Sequence, residues 1–109
     1  MLIVVSSNDM TLCSELAVMC SNNSFNILFI NKYDDLKDIP DCIVLDLDNN
    51  IDSTLNECRD YYKNHHMIFG VMSMPTKSNI LKAKKAGCLM VLTRLNFSAN
   101  ILDIINRSK

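Results

Sequence analysis

The sequence predicts a single α/β domain built on a parallel β-sheet, and three observations lead there. Five short apolar runs recur along the chain: Met1 to Val5, Ile27 to Ile30, Cys42 to Leu45, Met67 to Met72 and Cys88 to Leu92. Polar-patterned segments of helical character lie between them, and strands alternating with helices imply βαβ units and a parallel sheet. The third run, inside DCIVLDLDNN (Asp41 to Asn50), is unbroken and rich in branched residues before it stops at Asp46. Such a run suits a strand covered on both faces, and a carboxylate at its C-terminal end lies where open α/β sheets place their ligands and chemistry.

Length and composition bound the rest. A chain of 109 residues is expected to form one domain, residues 1–109, and 49% hydrophobic content fills one core. No run reaches the roughly 18 apolar residues of a transmembrane helix. Met1 to Val5 lacks a basic n-region and reads as a first strand, not as a signal peptide. The five cysteines, at 13, 20, 42, 58 and 88, are odd in number and form no CxxC. Reduced, buried thiols in a cytoplasmic protein are the expected state. The net charge of −1 hides an asymmetry: residues 1–50 hold two Lys/Arg and eight Asp/Glu, residues 51–109 nine and four. Such a split can steer a partner or a dimer contact, although ordinary solvated faces explain most of it.

Each element has its own signals. The first helix is expected from about Asn8 to Cys20, capped by Ser7 or Asn8, with Asp9 in its first turn and Leu12, Leu16 and Met19 on the sheet. Ser21 to Ser24 reads as a loop. Only eleven residues, 31–41, make the second crossover, where parallel strands take a dozen or more. A shortened second helix, about Tyr33 to Asp38, is therefore expected, with Leu36 and Ile39 inward. The third helix spans roughly Ser53 to Asn64 and buries Leu55, Cys58 and Tyr62. His65 and His66 close it; adjacent histidines diverge on a helix and do not share a metal. Pro75 ends the fourth strand region. The fourth helix, about Lys77 to Ala86, packs Ile80, Ala83 and Ala86 inward, turns Lys82, Lys84 and Lys85 outward, and stops at Gly87. The last helix is expected to start at Ser98 and run to about Arg107. Its Ile101, Leu102, Ile104 and Ile105 exceed one buried stripe, so part of that surface is expected to face a partner.

Four strand ends align on one sheet edge: Ser6 and Ser7, Asp46, Ser73, and Arg94. With IVLD ending in Asp46, VMS ending in Ser73, and AKKAGCLMVLTRLNFS, the whole chain resembles the receiver domain of two-component response regulators, the CheY-like, flavodoxin-like fold. The resemblance implies a doubly wound five-stranded sheet in the order 2-1-3-4-5. It also implies chemistry: an aspartate after strand three attacks a phosphohistidine and becomes an acyl phosphate. An acidic pair after strand one helps that aspartate hold Mg²⁺. A hydroxyl after strand four and a lysine after strand five bind the phosphoryl oxygens.

Residue by residue the match is partial. Asp46 stands at the phosphoacceptor position and Ser73 at the hydroxyl. The acidic pair falls on Ser6 and Ser7, and the lysine on Arg94, whose planar fork is not a conservative exchange for a point charge. Leu95 replaces the family's proline, Val91 its aromatic in strand five, and the loop 48–53 lacks the usual Pro and Gly. Mg²⁺ is normally held by one or two carboxylates plus waters and phosphate, so Asp46 alone leaves a weak or absent site. Asp48, on the same strand face, and Asp9, a turn into the first helix, lie outside the usual positions. With the acidic pair gone, Arg94 is free to pair with Asp46 directly. No cofactor is expected, and Mg²⁺ enters only if phosphorylation is retained.

Two functions follow from the resemblance. One is an atypical, phosphorylation-independent, non-enzymatic receiver that acts as a regulatory interaction or dimerisation module. Its face would be the fourth helix, fifth strand and last helix, with Lys82, Lys85, Ile101, Leu102 and Ile105, and any output domain would lie outside this sequence. The other is a working single-domain receiver phosphorylated on Asp46 by a histidine kinase. A flavodoxin-like nucleotide binder needs a glycine-bearing phosphate loop after strand one, and the chain has glycines only at 70 and 87. No membrane is expected as a partner. Nor is nucleic acid, because the basic residues are few and lack interleaved aromatics.

Overall fold

The computed structural model describes residues 2–7, 9–30, 37, 39–48, 50–64 and 66–108; the side chains at 98, 101, 102 and 108 also fall outside the described set. The elements are β1 (Leu2–Ser6), α1 (Met10–Asn22), β2 (Asn26–Ile30), β3 (Cys42–Asp46), α2 (Ile51–Lys63), β4 (Ile68–Met72), α3 (Lys77–Ala86), β5 (Met90–Thr93) and α4 (Arg94–Ser108). All strand pairs are parallel and the sheet order is β2-β1-β3-β4-β5. The doubly wound CheY-like topology expected from the sequence is the one observed.

Successive residues of a strand point to opposite faces, and the two cores divide along that alternation. Val4, Ile43, Leu45 and Ile68 pack with Leu55, Cys58 and Tyr61 of α2 and Ala83 and Ala86 of α3. Ile3, Val5, Val44, Phe69 and Val71 pack with Leu12, Leu16 and Cys20 of α1 and Phe97 and Ile105 of α4. Every residue of β3 and β4 is buried, as the unbroken apolar runs require. Gly70 on β4 makes room for Leu47, whose Cδ1 would lie 2.6 Å from an added Cβ.

Several local expectations need correction. The cap of α1 is Asp9, whose carboxylate accepts from the Thr11 and Leu12 N–H groups. It therefore stands before the helix and not a turn inside it. On α2 the third buried residue is Tyr61; Tyr62 is 60% exposed, because the inward face repeats at Leu55, Cys58 and Tyr61. Tyr62 instead lies over Gly87, the C-cap of α3 with φ +122°, where an added Cβ would sit 2.6 Å from its ring and Cβ. Ile39 was expected inward and is 90% exposed, while Pro40 beside it is buried. The expected second helix, Leu36 and His65 lie largely or wholly outside the described residues.

A helical segment opens at Arg94, ahead of the start expected at Ser98, and non-helical backbone at Asn100 separates it from the rest of α4. The Thr93 hydroxyl accepts from the Asn96 N–H, and Phe97 is buried against Phe69 with ring centroids 5.8 Å apart. Together these fold the segment after β5 into helix at once. Ile105 belongs to the core and not to a partner-facing surface, and Ile104 packs partly against the same cluster. The side chains of Ile101 and Leu102 lie outside the described set. Exposed apolar surface on this side comes instead from Leu81, Leu89, Met90 and Leu95.

Candidate functional site

The parallel arrangement places the ends of β1, β3, β4 and β5 on one edge of the sheet. Asp46 closes β3, Ser6 closes β1, Ser73 follows β4, and Arg94 opens the helix after β5. Asp9 at the start of α1 and Asp48 in the turn after β3 border the same space.

Arg94 organises it. Its Nη1 donates to Asp9 Oδ2 at 2.7 Å, its Nη2 to Asp46 Oδ1 at 3.1 Å, and its Nε to Asp48 Oδ2 at 2.8 Å. Only a planar fork with separated donors reaches three carboxylates at once; an ammonium group presents a single point. Burial opposes the charge on Arg94. The Asp9 hydrogen bond and the charges of Asp46, Asp9 and Asp48 outweigh that, and hold the guanidinium above its ordinary pKa.

Asp46 is 3% exposed and its oxygens are occupied. Oδ1 accepts from the Asp48 N–H at 3.0 Å as well as from Arg94, and Oδ2 accepts from the Ser7 hydroxyl at 2.7 Å. Asp48 is occupied in turn by Ser73. The Ser73 N–H donates to its Oδ1 and Oδ2 at 3.0 and 2.9 Å, and the Ser73 hydroxyl to Oδ2 at 2.7 Å. Burial alone would raise the Asp48 pKa. The Ser73 hydrogen bonds, followed by Arg94, reverse this and hold the carboxyl below the usual range. The Asp9 carboxyl is also lowered, first by its hydrogen bond from Arg94 and next by the Leu12 N–H.

The two serines at the expected acidic pair act as hydrogen-bond donors. Ser7 donates a hydroxyl hydrogen bond to Asp46 and accepts one from the Asp9 N–H at 3.0 Å. Ser6 turns away to Glu57 on α2, at 3.1 Å, and Glu57 also accepts from the buried Tyr61 hydroxyl at 2.9 Å. Among the described residues, no group of three or more His, Cys, Asp or Glu side chains is placed to share a metal ion. The donor set differs from the one that the receiver resemblance implies for Mg²⁺. Hydroxyl donors stand where two anionic ligands are needed, and a guanidinium occupies the space between the remaining carboxylates.

The sequence pattern named Asp46, Ser73, Arg94, Ser6 and Ser7, and all five lie on this edge. Arg94 pairs with Asp46 as the sequence suggested. Ser73 bonds Asp48 and Ser6 bonds Glu57. Sequence reasoning missed Glu57 and the direct Asp48–Ser73 contact. Asp48 carried a signal, being two residues beyond Asp46 on the same strand face; Glu57 carried none beyond its place one residue before a buried Cys58.

With that geometry in view, the fold comparison is decisive. A response regulator from Thermotoga maritima superposes with a TM-score of 0.81 at 13% identity, over 96% of this chain and 97% of that one. The chain has the receiver-domain fold. The beryllofluoride-activated receiver domain of Klebsiella pneumoniae RstA gives 0.82 at 16% identity, over 98% and 97% of the two chains. A receiver domain of a Pseudomonas aeruginosa sensor histidine kinase, with a magnesium ion coordinated in its active-site cleft, gives 0.77 at 13%, over 97% and 94%. No protein-family model and no curated sequence matches the chain. Among the described residues, no helix is long and apolar enough to cross a membrane.

Proposed function

We propose that this receiver-like domain serves two-component-type signalling as a phosphorylation-independent, non-enzymatic interaction module of the cytoplasm. One observation carries the reading: the Asp48 carboxylate sits on the hydroxyl and N–H of Ser73 and on Nε of Arg94. The receiver resemblance assigns those donors to an incoming phosphoryl group. Asp48 therefore acts as an internal surrogate for phosphate and holds Ser73 and Arg94 together without it.

Electrostatics support the same conclusion. Three carboxylates face one guanidinium, so the site keeps an excess of negative charge. An approaching phosphoryl anion meets that excess of negative charge, and Asp46 must first lose its hydrogen bonds to become a nucleophile.

The α3–β5–α4 side is the proposed contact surface for a second copy or a signalling partner. Exposed Leu81, Met90 and Leu95 supply apolar area there, whereas Lys82 and Lys85, expected on the same face, line a groove with Asp52, Leu55, Asn56 and Arg59 of α2. Any output domain would lie outside this sequence. The alternative is a working receiver, favoured only by Asp46 keeping its place at the end of β3.

Incubation with acetyl phosphate and Mg²⁺, followed by intact-mass measurement, tests the reading. No gain of a phosphoryl group is expected. A stoichiometric adduct, lost in Asp46→Ala, would establish the alternative.

A further inference from the structure

Two thiols far from the ionic cluster face each other across the other core. Cys58 on α2 and Cys88, just before β5, are both buried, and their Sγ atoms lie 3.6 Å apart. The Cys58 thiol also reaches the Ala86 carbonyl oxygen at 3.5 Å. Helix α2 and the α3–β5 connection are thus already joined by a sulfur–sulfur contact between residues 30 positions apart.

Distance, access and unequal acidity separate this pair from ordinary core cysteines. The 3.6 Å contact exceeds a disulfide bond by about 1.5 Å, a gap that side-chain rotation can close without unfolding. Cys88 lines a cavity of about 620 Å³ with Tyr62, His66, Lys84, Lys85 and Leu89, and glycine at 87 leaves that wall without a side chain. Cys88 is the sulfur that borders this space, while Cys58 is fully buried. The Cys88 hydrogen bond lowers the pKa of the Cys58 thiol, while the same bond, and then burial, hold the Cys88 thiol high. Cys13 and Cys20, by contrast, are pushed up, chiefly by burial.

We infer that Cys58 and Cys88 form a peroxide-oxidisable dithiol, a modification site whose disulfide ties α2 to the start of β5. One thiol of the pair, as its thiolate, attacks one peroxide oxygen: an S–O bond forms, the O–O bond breaks, and the departing hydroxide is protonated to water. The second sulfur then attacks the sulfenic sulfur. An S–S bond forms, the S–O bond breaks, and the hydroxyl leaves with the second thiol's proton as a second water. Two thiols and one hydrogen peroxide give one disulfide and two waters; sulfur loses two electrons and the peroxide gains them.

The test uses the full chain with hydrogen peroxide at neutral pH, then alkylation under denaturing conditions and peptide mapping. The expected result is loss of the mass of two hydrogens, protection of two of the five thiols, and one cross-linked peptide pair containing Cys58 and Cys88. Dithiothreitol reverses it, and the same treatment in urea gives mixed pairings. In Cys88→Ala no cross-linked pair forms and the mass of two hydrogens is not lost. The proposal is overturned if the native wild-type chain yields no Cys58–Cys88 peptide, whether because both thiols stay alkylatable or because they oxidise singly to sulfinic acid. That outcome is read on wild-type protein and stands even if the variant does not fold.

Discussion

Replacing Arg94 with methionine keeps most of the side-chain volume and removes the charge that three carboxylates share. The largest loss is at Asp46, 3% exposed and paired with a guanidinium that is itself only 20% exposed. Breaking a buried ion pair from one side costs about 3–5 kcal/mol. Asp46 keeps the Ser7 hydroxyl and the Asp48 N–H, which places it at the low end of that range. The Asp48 arm, 26% exposed, adds under about 1 kcal/mol, since Ser73 still satisfies that carboxylate. The expected loss is about 3 kcal/mol, or roughly 12 °C in Tm for a domain of this size.

Urea unfolding followed by circular dichroism reads that loss. Arg94→Lys should recover part of it, because an ammonium reaches fewer of the three partners. Arg107→Ala, which breaks only the exposed pair with Asp103 at 3.6 Å, should change stability by less than about 0.5 kcal/mol. The pH dependence has a fixed sign. Asp48 and Asp9 titrate below their ordinary value in the folded state, so their contribution is full above the unfolded pKa of about 3.9 and is lost as pH falls through the folded values. The gap between wild type and Arg94→Met should therefore narrow below about pH 4. A loss under about 1 kcal/mol at pH 7, or a gap that widens in acid, would refute the argument that Arg94 is the counter-charge of this site.

Three further outcomes are expected. Asp48→Ala removes the acceptor for two Ser73 donors and Arg94 Nε at a partly solvated position; it should cost about 1–2 kcal/mol, and a neutral effect by urea unfolding would argue against the surrogate role. Gly87→Ala puts a side chain at φ +122° and against Tyr62, so thermal melts should show a loss of more than about 1 kcal/mol; an unchanged Tm would contradict the packing. Light scattering across a concentration series should give a dimer that Leu81→Asp with Leu95→Asp converts to monomer. A wild-type monomer at every concentration would remove self-association from the proposed function.

The sheet was legible because burial on both faces leaves an unmistakable mark: Cys42 to Leu45 and Ile68 to Met72 have no polar residue, and each became a central strand. Helix faces were less secure. Shifting one position exchanged Tyr61 for Tyr62, since both fit an apolar stripe and only the contact with Gly87 decides between them. The helical segment ahead of the Asn100 kink was not legible because Thr93 and Phe97 act together, one as a cap and the other as an anchor, from opposite sides of an arginine that looks like a loop residue. At the site, the sequence identified Asp46, Ser73 and Arg94 and suggested that Arg94 meets Asp46. It did not show that Asp9 and Asp48 share the same guanidinium, because those distances depend on where three separate chain segments end. The acidic first half and basic second half of the chain do meet there, through Asp9, Asp46 and Asp48 on one side and Arg94 on the other.

The most direct test is an amide NMR titration with beryllofluoride and Mg²⁺. A carboxylate already saturated by donors, with hydroxyl protons in place of metal ligands, should give no saturable shifts at Asp46, Ser73 or Arg94. Saturable shifts at those three residues, abolished in Asp46→Ala, would mean that the site accepts a phosphoryl analogue and that the internal ion cluster yields to it.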